Sequence, residues 1–210
     1  MDRETIYPIL KEYINSLLPE IEGIPSGRRE LIQGLSRFIS QAGPRGVSLT
    51  FICTHNSRRS HFGQIWAAVA AAWYGVEGVK TYSGGTEATA FNPRAVAALE
   101  RAGFRVENPG GANPLYRVFF SETAPPLECF SKTYADPVNP ASGFAAVMTC
   151  SDADENCPFI PGAAVRIPLT YEDPKEADGT AEETARYDER CRQIAVEMFY
   201  AFILIDTQKE

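Results

Sequence analysis

The chain has 210 residues, 44% of them hydrophobic, which is enough to bury one domain-sized core. A formal charge of −7 excludes a general nucleic-acid binder, because a phosphate backbone demands a broad basic surface. A small anionic substrate remains compatible, since a pocket can be locally positive on an acidic molecule.

The opening "MDRETIYPILKEY" has neither the charged start nor the continuous apolar core of a secretory signal, and nowhere do eighteen apolar residues run together. The expectation is a soluble, cytoplasmic protein. Residues 5–18 and 28–42 carry apolar side chains at helical spacing (Ile6, Ile9, Leu10, Ile14, Leu17, then Leu31, Ile32, Leu35, Phe38, Ile39), divided by the breaker "IPSG". Two amphipathic helices follow, read as an N-terminal extension over residues 1–43.

After "AGPRG", the run "VSLTFIC" is too short for a buried helix and reads as a central strand, and "SHFGQIWAAVAAAWYG" as a helix closing at Gly75. "VKTYSGG" is a second strand, and "NPRAVAALERAG" a helix with Pro93 in its first turn and Gly103 past its end. "FAAVMTC" and "AAVRIPL" supply two more strands. A long last helix is opened by Thr180, with Glu183 in capping-box position. Such alternation predicts an α/β domain over 44–210: a four-stranded parallel sheet, helices on both faces, and a ligand site at the strands' carboxyl ends. Residues at about 107–143, rich in Pro, Gly and Asn, break the rhythm and read as an insertion in which "YRVFF" and "CFSKTY" pair as a hairpin.

Five cysteines, Cys53, Cys129, Cys150, Cys157 and Cys191, are an odd number in a chain too large to need disulfide staples, which points to catalytic or redox thiols. No Cys-x-x-Cys occurs, and His55 and His61 complete no familiar ligand spacing, so no metal is expected. Cys53 falls at a strand end, and the stretch "FICTHNSRRS" leads from it into a helix with Arg59 six positions on. A short loop wrapped around a tetrahedral oxyanion turns successive backbone N–H groups inward, and the following helix adds its positive end. Thr54, His55, Asn56, Ser57, Arg58, Arg59 and Ser60 thus form a candidate anion cradle. Arg59 presents a planar fork of donors to two anion oxygens, and the same positive surroundings favour a nucleophilic thiolate at Cys53. Asn56 suits a left-handed position with its side chain bonding to the loop's own backbone, and Ser60 can donate to the thiolate. Arg58 is expected as a solvated charge and His55 as an outward-facing side chain.

This stretch resembles the phosphate-binding loop shared by low-molecular-weight protein tyrosine phosphatases and thioredoxin-coupled arsenate reductases. "YSGGTEATAFNPRAVAALERAGF" is similar to the second strand and helix of the reductase branch. The likeness spans roughly residues 47–205 without the insertion, and implies the four-stranded fold with Cys53 as nucleophile. "TCSDADENCP" matches the reductase pattern almost letter for letter, and a phosphatase has no use for Cys150 and Cys157. The resemblance implies a relay in which Cys150 attacks Cys53, Cys157 attacks Cys150, and thioredoxin reduces the final disulfide, a sequence that requires "SDADEN" to move. Asp173 would be the acid in either chemistry.

Tyrosine phosphatases of this fold commonly place two tyrosines after the Asp-Pro pair, where this chain has Lys175 and Glu176. Departures from the reductases include Arg58 where many members have a second cysteine, Gln64 where potassium-binding members have a glutamate, and the extra N-terminal helices and insertion. Cys129, Cys191 and Glu172 receive no role, Cys191 being read as merely tolerated among charged residues. The reading is an arsenate reductase; a phosphomonoesterase of the low-molecular-weight phosphatase type and a non-enzymatic oxyanion or redox sensor are its alternatives.

Overall fold

In the computed structural model, residues 3–42, 46–157 and 159–206 are described. In chain order the elements are α1 (Pro8–Leu17), α2 (Ser26–Gln41), β1 (Val47–Cys53), α3 (Arg59–Trp73), β2 (Val79–Gly85) and α4 (Pro93–Ala102). Then come β3 (Arg105–Glu107), β4 (Tyr116–Phe119), β5 (Leu127–Cys129), β6 (Phe144–Met148), α5 (Ser151–Asn156), β7 (Ala163–Pro168) and α6 (Glu183–Asp206). The main sheet is four-stranded and parallel, in the order β2-β1-β6-β7. Nearly every residue of β1 and β6 is buried, as the unbroken apolar runs of two-sided parallel strands require.

Alternation along the strands divides the interior. Leu49 and Phe51 of β1 and Ala145 and Val147 of β6 face the larger core, which α3 and α6 fill together with Leu10, Ile14, Ile32 and Leu35 of α1 and α2. Ile52, Phe144, Ala146 and Met148 face a smaller cluster closed by Ala153 of α5, Ile160 and Tyr134. Because β1 and β6 run side by side in the same direction, with Ile52 opposite Met148, both end at one edge, and Cys53 and Cys150 leave the sheet there. No helix among the described residues is long and apolar enough to cross a membrane.

Local chemistry sets several boundaries. Asn92 caps α4 by accepting from the Arg94 N–H at 2.9 Å, Pro93 opens it, and Gly103 ends it in the left-handed conformation at φ 106°. The expected capping box of the last helix does not form. α6 starts at Glu183, whose carboxylate accepts from the Gly179 N–H, while the Thr180 hydroxyl accepts from the Glu182 N–H and donates to the Ala177 carbonyl. The chain is still turning through 177–182, so each bond falls one residue early.

The insertion also differs from the expected hairpin. β4 pairs with β5 (Tyr116 opposite Cys129) and with β3 on its other side, giving a three-stranded antiparallel sheet. The run "FSKTY" after Cys129 leaves this sheet because its backbone is engaged elsewhere: Gly85 N–H donates to Lys132 O at 2.9 Å and Tyr134 N–H to Gly85 O at 2.9 Å.

α3 lies against β1 at Gly63, where a Cβ would overlap the ring of Phe51. Gly63→Ala is expected to lower stability by about 1–3 kcal/mol through overpacking, read as a reduced urea midpoint; an unchanged midpoint would show that this contact does not set the helix-to-sheet spacing.

Candidate active site

Between the end of β1 and the start of α3 the backbone carbonyls of five consecutive residues are all engaged from outside the loop. Cys53 O accepts from Thr86 N–H (3.1 Å), Thr54 O from Glu87 N–H (2.8 Å), and Ser57 O from Asn92 N–H (2.9 Å). His55 O accepts from the hydroxyls of Ser131 (2.9 Å) and Thr89 (3.2 Å), and Asn56 O from His61 Nε2 (3.0 Å). With its acceptors used in this way, the loop keeps its amides of 54–58 as donors; none of them donates to another described residue. Gly85 makes the close approach possible, since a Cβ there would lie 2.6 Å from Thr54 O and 2.7 Å from Asn56 N.

The side chains organise the same loop. Cys53 Sγ is 3.1 Å from Ser60 Oγ, to which Asn56 Nδ2 donates at 2.9 Å, leaving the hydroxyl hydrogen to point at the sulfur. Asn56 adopts the expected left-handed conformation (φ 44°). Its side chain does not bond to the loop's own backbone, however. Its oxygen accepts from Lys132 N–H at 2.9 Å, so the insertion is built into the loop's support. Ser57 donates to Ala90 O at 2.7 Å.

Arg59 is buried and donates from Nη1 to Tyr171 O (2.8 Å) and from Nη2 to Asp173 Oδ2 (2.6 Å), while its Nε has no hydrogen-bond partner among the described residues. Arg58 is not the expected solvated charge. Its side chain is 11% exposed, donates to Tyr187 Oη at 2.9 Å and lies 3.9 Å from both Asp173 and Asp178. The burial arises because α6 brings Tyr187 across the first turn of α3. His55 does face outward, half-exposed, 3.9 Å from Glu87.

Cys150 is buried beside the loop, its Sγ 3.4 Å from Thr54 Oγ1, and it caps α5 by accepting from Ala153 N–H at 3.4 Å. Cys157 sits at the other end of α5 and, of the five cysteines, it alone is not buried. The six helical residues between them put their Cα atoms on the order of 10 Å apart. A disulfide needs roughly 4.4–6.8 Å, so α5 must unwind before the two sulfurs can join. Arg166 of β7 holds the helix meanwhile, donating to Cys157 O at 3.2 Å and ion-pairing with Asp154 at 2.6 Å.

A relative from Bacillus subtilis named arsenate reductase is 32% identical over 144 residues, 68% of this chain and 84% of its own length. The chain belongs to the arsenate reductase family. A second arsenate reductase, from Bacillus licheniformis, is 27% identical over 150 residues, 69% of this chain and 86% of the relative. Among solved structures, a low-molecular-weight phosphotyrosine phosphatase from Vibrio cholerae superposes with a TM-score of 0.51 at 15% identity, covering 79% of this chain and 98% of that one, which establishes the shared fold. No protein-family model matches the chain.

In this member of the arsenate reductase family the cleft beside Asp173, of about 840 Å³, is lined by Glu172, Asp173, Glu176, Glu182, Arg186 and three small residues, without an aromatic wall. Cys129 and Cys191 are buried in the larger core. Burial pushes each thiol up to about 12, and Cys191 is no charged-surface residue but a core side chain accepting from Trp66 Nε1 at 3.2 Å. The residue that sequence reasoning missed is Tyr171, whose carbonyl orients Arg59; an aromatic two positions before the acid was its only signal.

His61 is fully buried, stacked on Phe91, and pushed down to about 3 by burial and by the Lys132 charge. As a neutral ring it must donate from Nε2 to the Asn56 carbonyl, so its Nδ1 accepts from Ser83. Its folded value lies below the ordinary 6.5, so its stabilising share is whole above pH 6.5 and is lost as pH falls toward 3. Between pH 7 and 5 this loss amounts to about 2 kcal/mol. Urea unfolding at both pH values should show His61→Gln with a correspondingly smaller pH dependence; equal dependence in the two proteins would remove His61 as the cause.

Proposed function

We propose that the chain reduces arsenate to arsenite with electrons drawn from its own thiols. The observation that carries this reading is the placement of Cys150 against the Cys53 loop, with Cys157 at the far end of a short helix. In the first step the Cys53 thiolate attacks arsenic and an oxygen departs as water, protonated by Asp173, leaving a sulfur–arsenic(V) bond. The amides of 54–58 hold the remaining oxygens. Arg59 has five N–H donors, only two of them engaged with Tyr171 and Asp173, and supplies others to the anion.

In the second step the Cys150 thiolate attacks Cys53 Sγ. The sulfur–arsenic bonding pair passes to arsenic, arsenite leaves, and a Cys53–Cys150 disulfide remains. Unwinding of α5 then lets the Cys157 thiolate attack Cys150 Sγ, which frees Cys53. The Cys150–Cys157 disulfide is reduced by an external dithiol protein of the thioredoxin kind. That protein would approach at Cys157, the accessible cysteine, beside the outward-facing ring of Phe159.

A second reading, phosphomonoester hydrolysis, is favoured by one observation, the Arg59–Asp173 pair at 2.6 Å, which would serve a phosphate leaving group equally well. The acidic, non-aromatic cleft beside it does not favour a phosphotyrosine ring.

Variants distinguish the readings. With arsenate and thioredoxin, Cys150→Ser should give no arsenite and accumulate an adduct on Cys53. Cys157→Ser should release one equivalent and stop as the Cys53–Cys150 disulfide, found by peptide mass mapping. Both should still hydrolyse an aryl phosphate if wild type does. Full multiple turnover of arsenate by either variant would contradict the relay. Absence of both activities in wild type would favour the sensor. Asp173→Asn should slow the chemical step by roughly 10²–10⁴-fold, the usual contribution of a positioned acid.

A further inference from the structure

Tyr171 stands where three parts of the chain meet. Its N–H donates to Thr149 O at 3.2 Å, immediately before Cys150, and its carbonyl accepts from Arg59 at 2.8 Å, two residues before Asp173. The phenol reaches the opposite way, donating to Glu197 Oε2 of α6 at 2.7 Å. Burial, with the Glu197 carboxylate beside it, raises the phenol well above its ordinary value, so it remains a donor.

Glu197 is itself held from the N-terminal segment. Arg28 of α2 grips it as a fork, Nε to Oε1 at 2.9 Å and Nη2 to Oε2 at 2.8 Å, and the guanidinium lies 4.6 Å over the Tyr171 ring. Glu197 is 3% exposed and Tyr171 6%, so the ionic contact is largely removed from water, where loss of one partner is most costly. The path Arg28, Glu197, Tyr171, Arg59, Asp173 is continuous, every link a hydrogen bond of 2.9 Å or less.

We propose that Arg28 is a positioning residue for the oxyanion site: the helix that precedes the sheet fixes the 171–173 segment through Glu197 and Tyr171, and so aims Arg59 at the anion. The inference rests on the reading of Arg59 as an anion ligand, but not on arsenate being reduced. Packing alone does not explain the arrangement. The apolar face of α2 is already buried through Ile32, Leu35 and Ile39, and a helix needing only to cover α6 has no call for a buried fork on a carboxylate that also binds Tyr171.

The test uses inorganic phosphate as the probe, with affinity measured by calorimetry on the full chain. Arg28→Ala should weaken phosphate binding about 5–10-fold and Arg28→Lys, which keeps the charge but not the fork, by less. Tyr171→Phe, which keeps the ring packing, should fall with Arg28→Ala. In an Arg59→Lys background, Arg28→Ala should cause little further loss, because its route ends at Arg59. Unchanged affinity in the well-folded Tyr171→Phe protein, or the same fold-loss from Arg28→Ala in both backgrounds, would overturn the proposal. Wild type that binds phosphate yet reduces no arsenate would sink the reductase reading while leaving this inference tested by the binding data.

Discussion

The site depends on where one loop sends its carbonyls. Each peptide between Cys53 and Ser57 carries an acceptor, and an anion brought near five carbonyl oxygens would be repelled. Here every one of those oxygens is bonded to a group behind the loop, from residues 86, 87, 89, 92, 131 and His61. Donors for an oxyanion are what the loop then has left to offer. This constraint accounts for residues that never meet a ligand. Gly85 lets the strand beside β1 come close, His61 donates to the Asn56 carbonyl while its neutral ring accepts from Ser83, and Ser131 and Lys132 of the insertion complete the backing.

The parallel sheet then makes a redox relay geometrically natural. Adjacent strands with the same direction end together, so a thiol at the end of β6 lies against the loop at the end of β1 without any special long-range contact. The third thiol is harder to place, because folding and chemistry ask different things of α5. Ala153 and Cys150 tie the helix into the smaller core and Arg166 ties its far end to β7, yet the final disulfide of the proposed relay would require the helix to open. Six residues, three of them acidic and only Ala153 buried, give the segment a small free energy to lose, which suits an element that the proposed relay asks to open locally.

Much of this was legible in the sequence. "VSLTFIC" and "VKTYSGG" are the strands observed: the first is a short unbroken run of apolar and β-branched residues that fits a sheet covered on both sides, the second a half-exposed edge strand that ends on two glycines. Pro93 and Gly103 mark the ends of α4 because helix starts and stops are local chemistry. The thiols at 53, 150 and 157 and the pair Arg59 and Asp173 all come to one end of the sheet. What escaped were contacts set by distant chain. Arg58 looks like a surface charge until α6 delivers Tyr187, the Asn56 side-chain oxygen turns to the insertion rather than to its own loop's backbone, and Arg28 meets Glu197 across 169 residues. The run after Cys129 has strand-like composition, but its hydrogen bonds go to Gly85, a choice that pairing patterns within the insertion do not encode.

The claim under all of this is that the amides following Cys53 hold a tetraoxyanion. Backbone ¹⁵N–¹H spectra recorded while the reduced protein is titrated with phosphate, and then with arsenate, test it most directly. The account predicts saturable downfield movement of the amide resonances of Thr54 to Arg59, with the two anions competing for one set of shifts. Resonances in that loop that stay fixed while others elsewhere on the surface respond would contradict it.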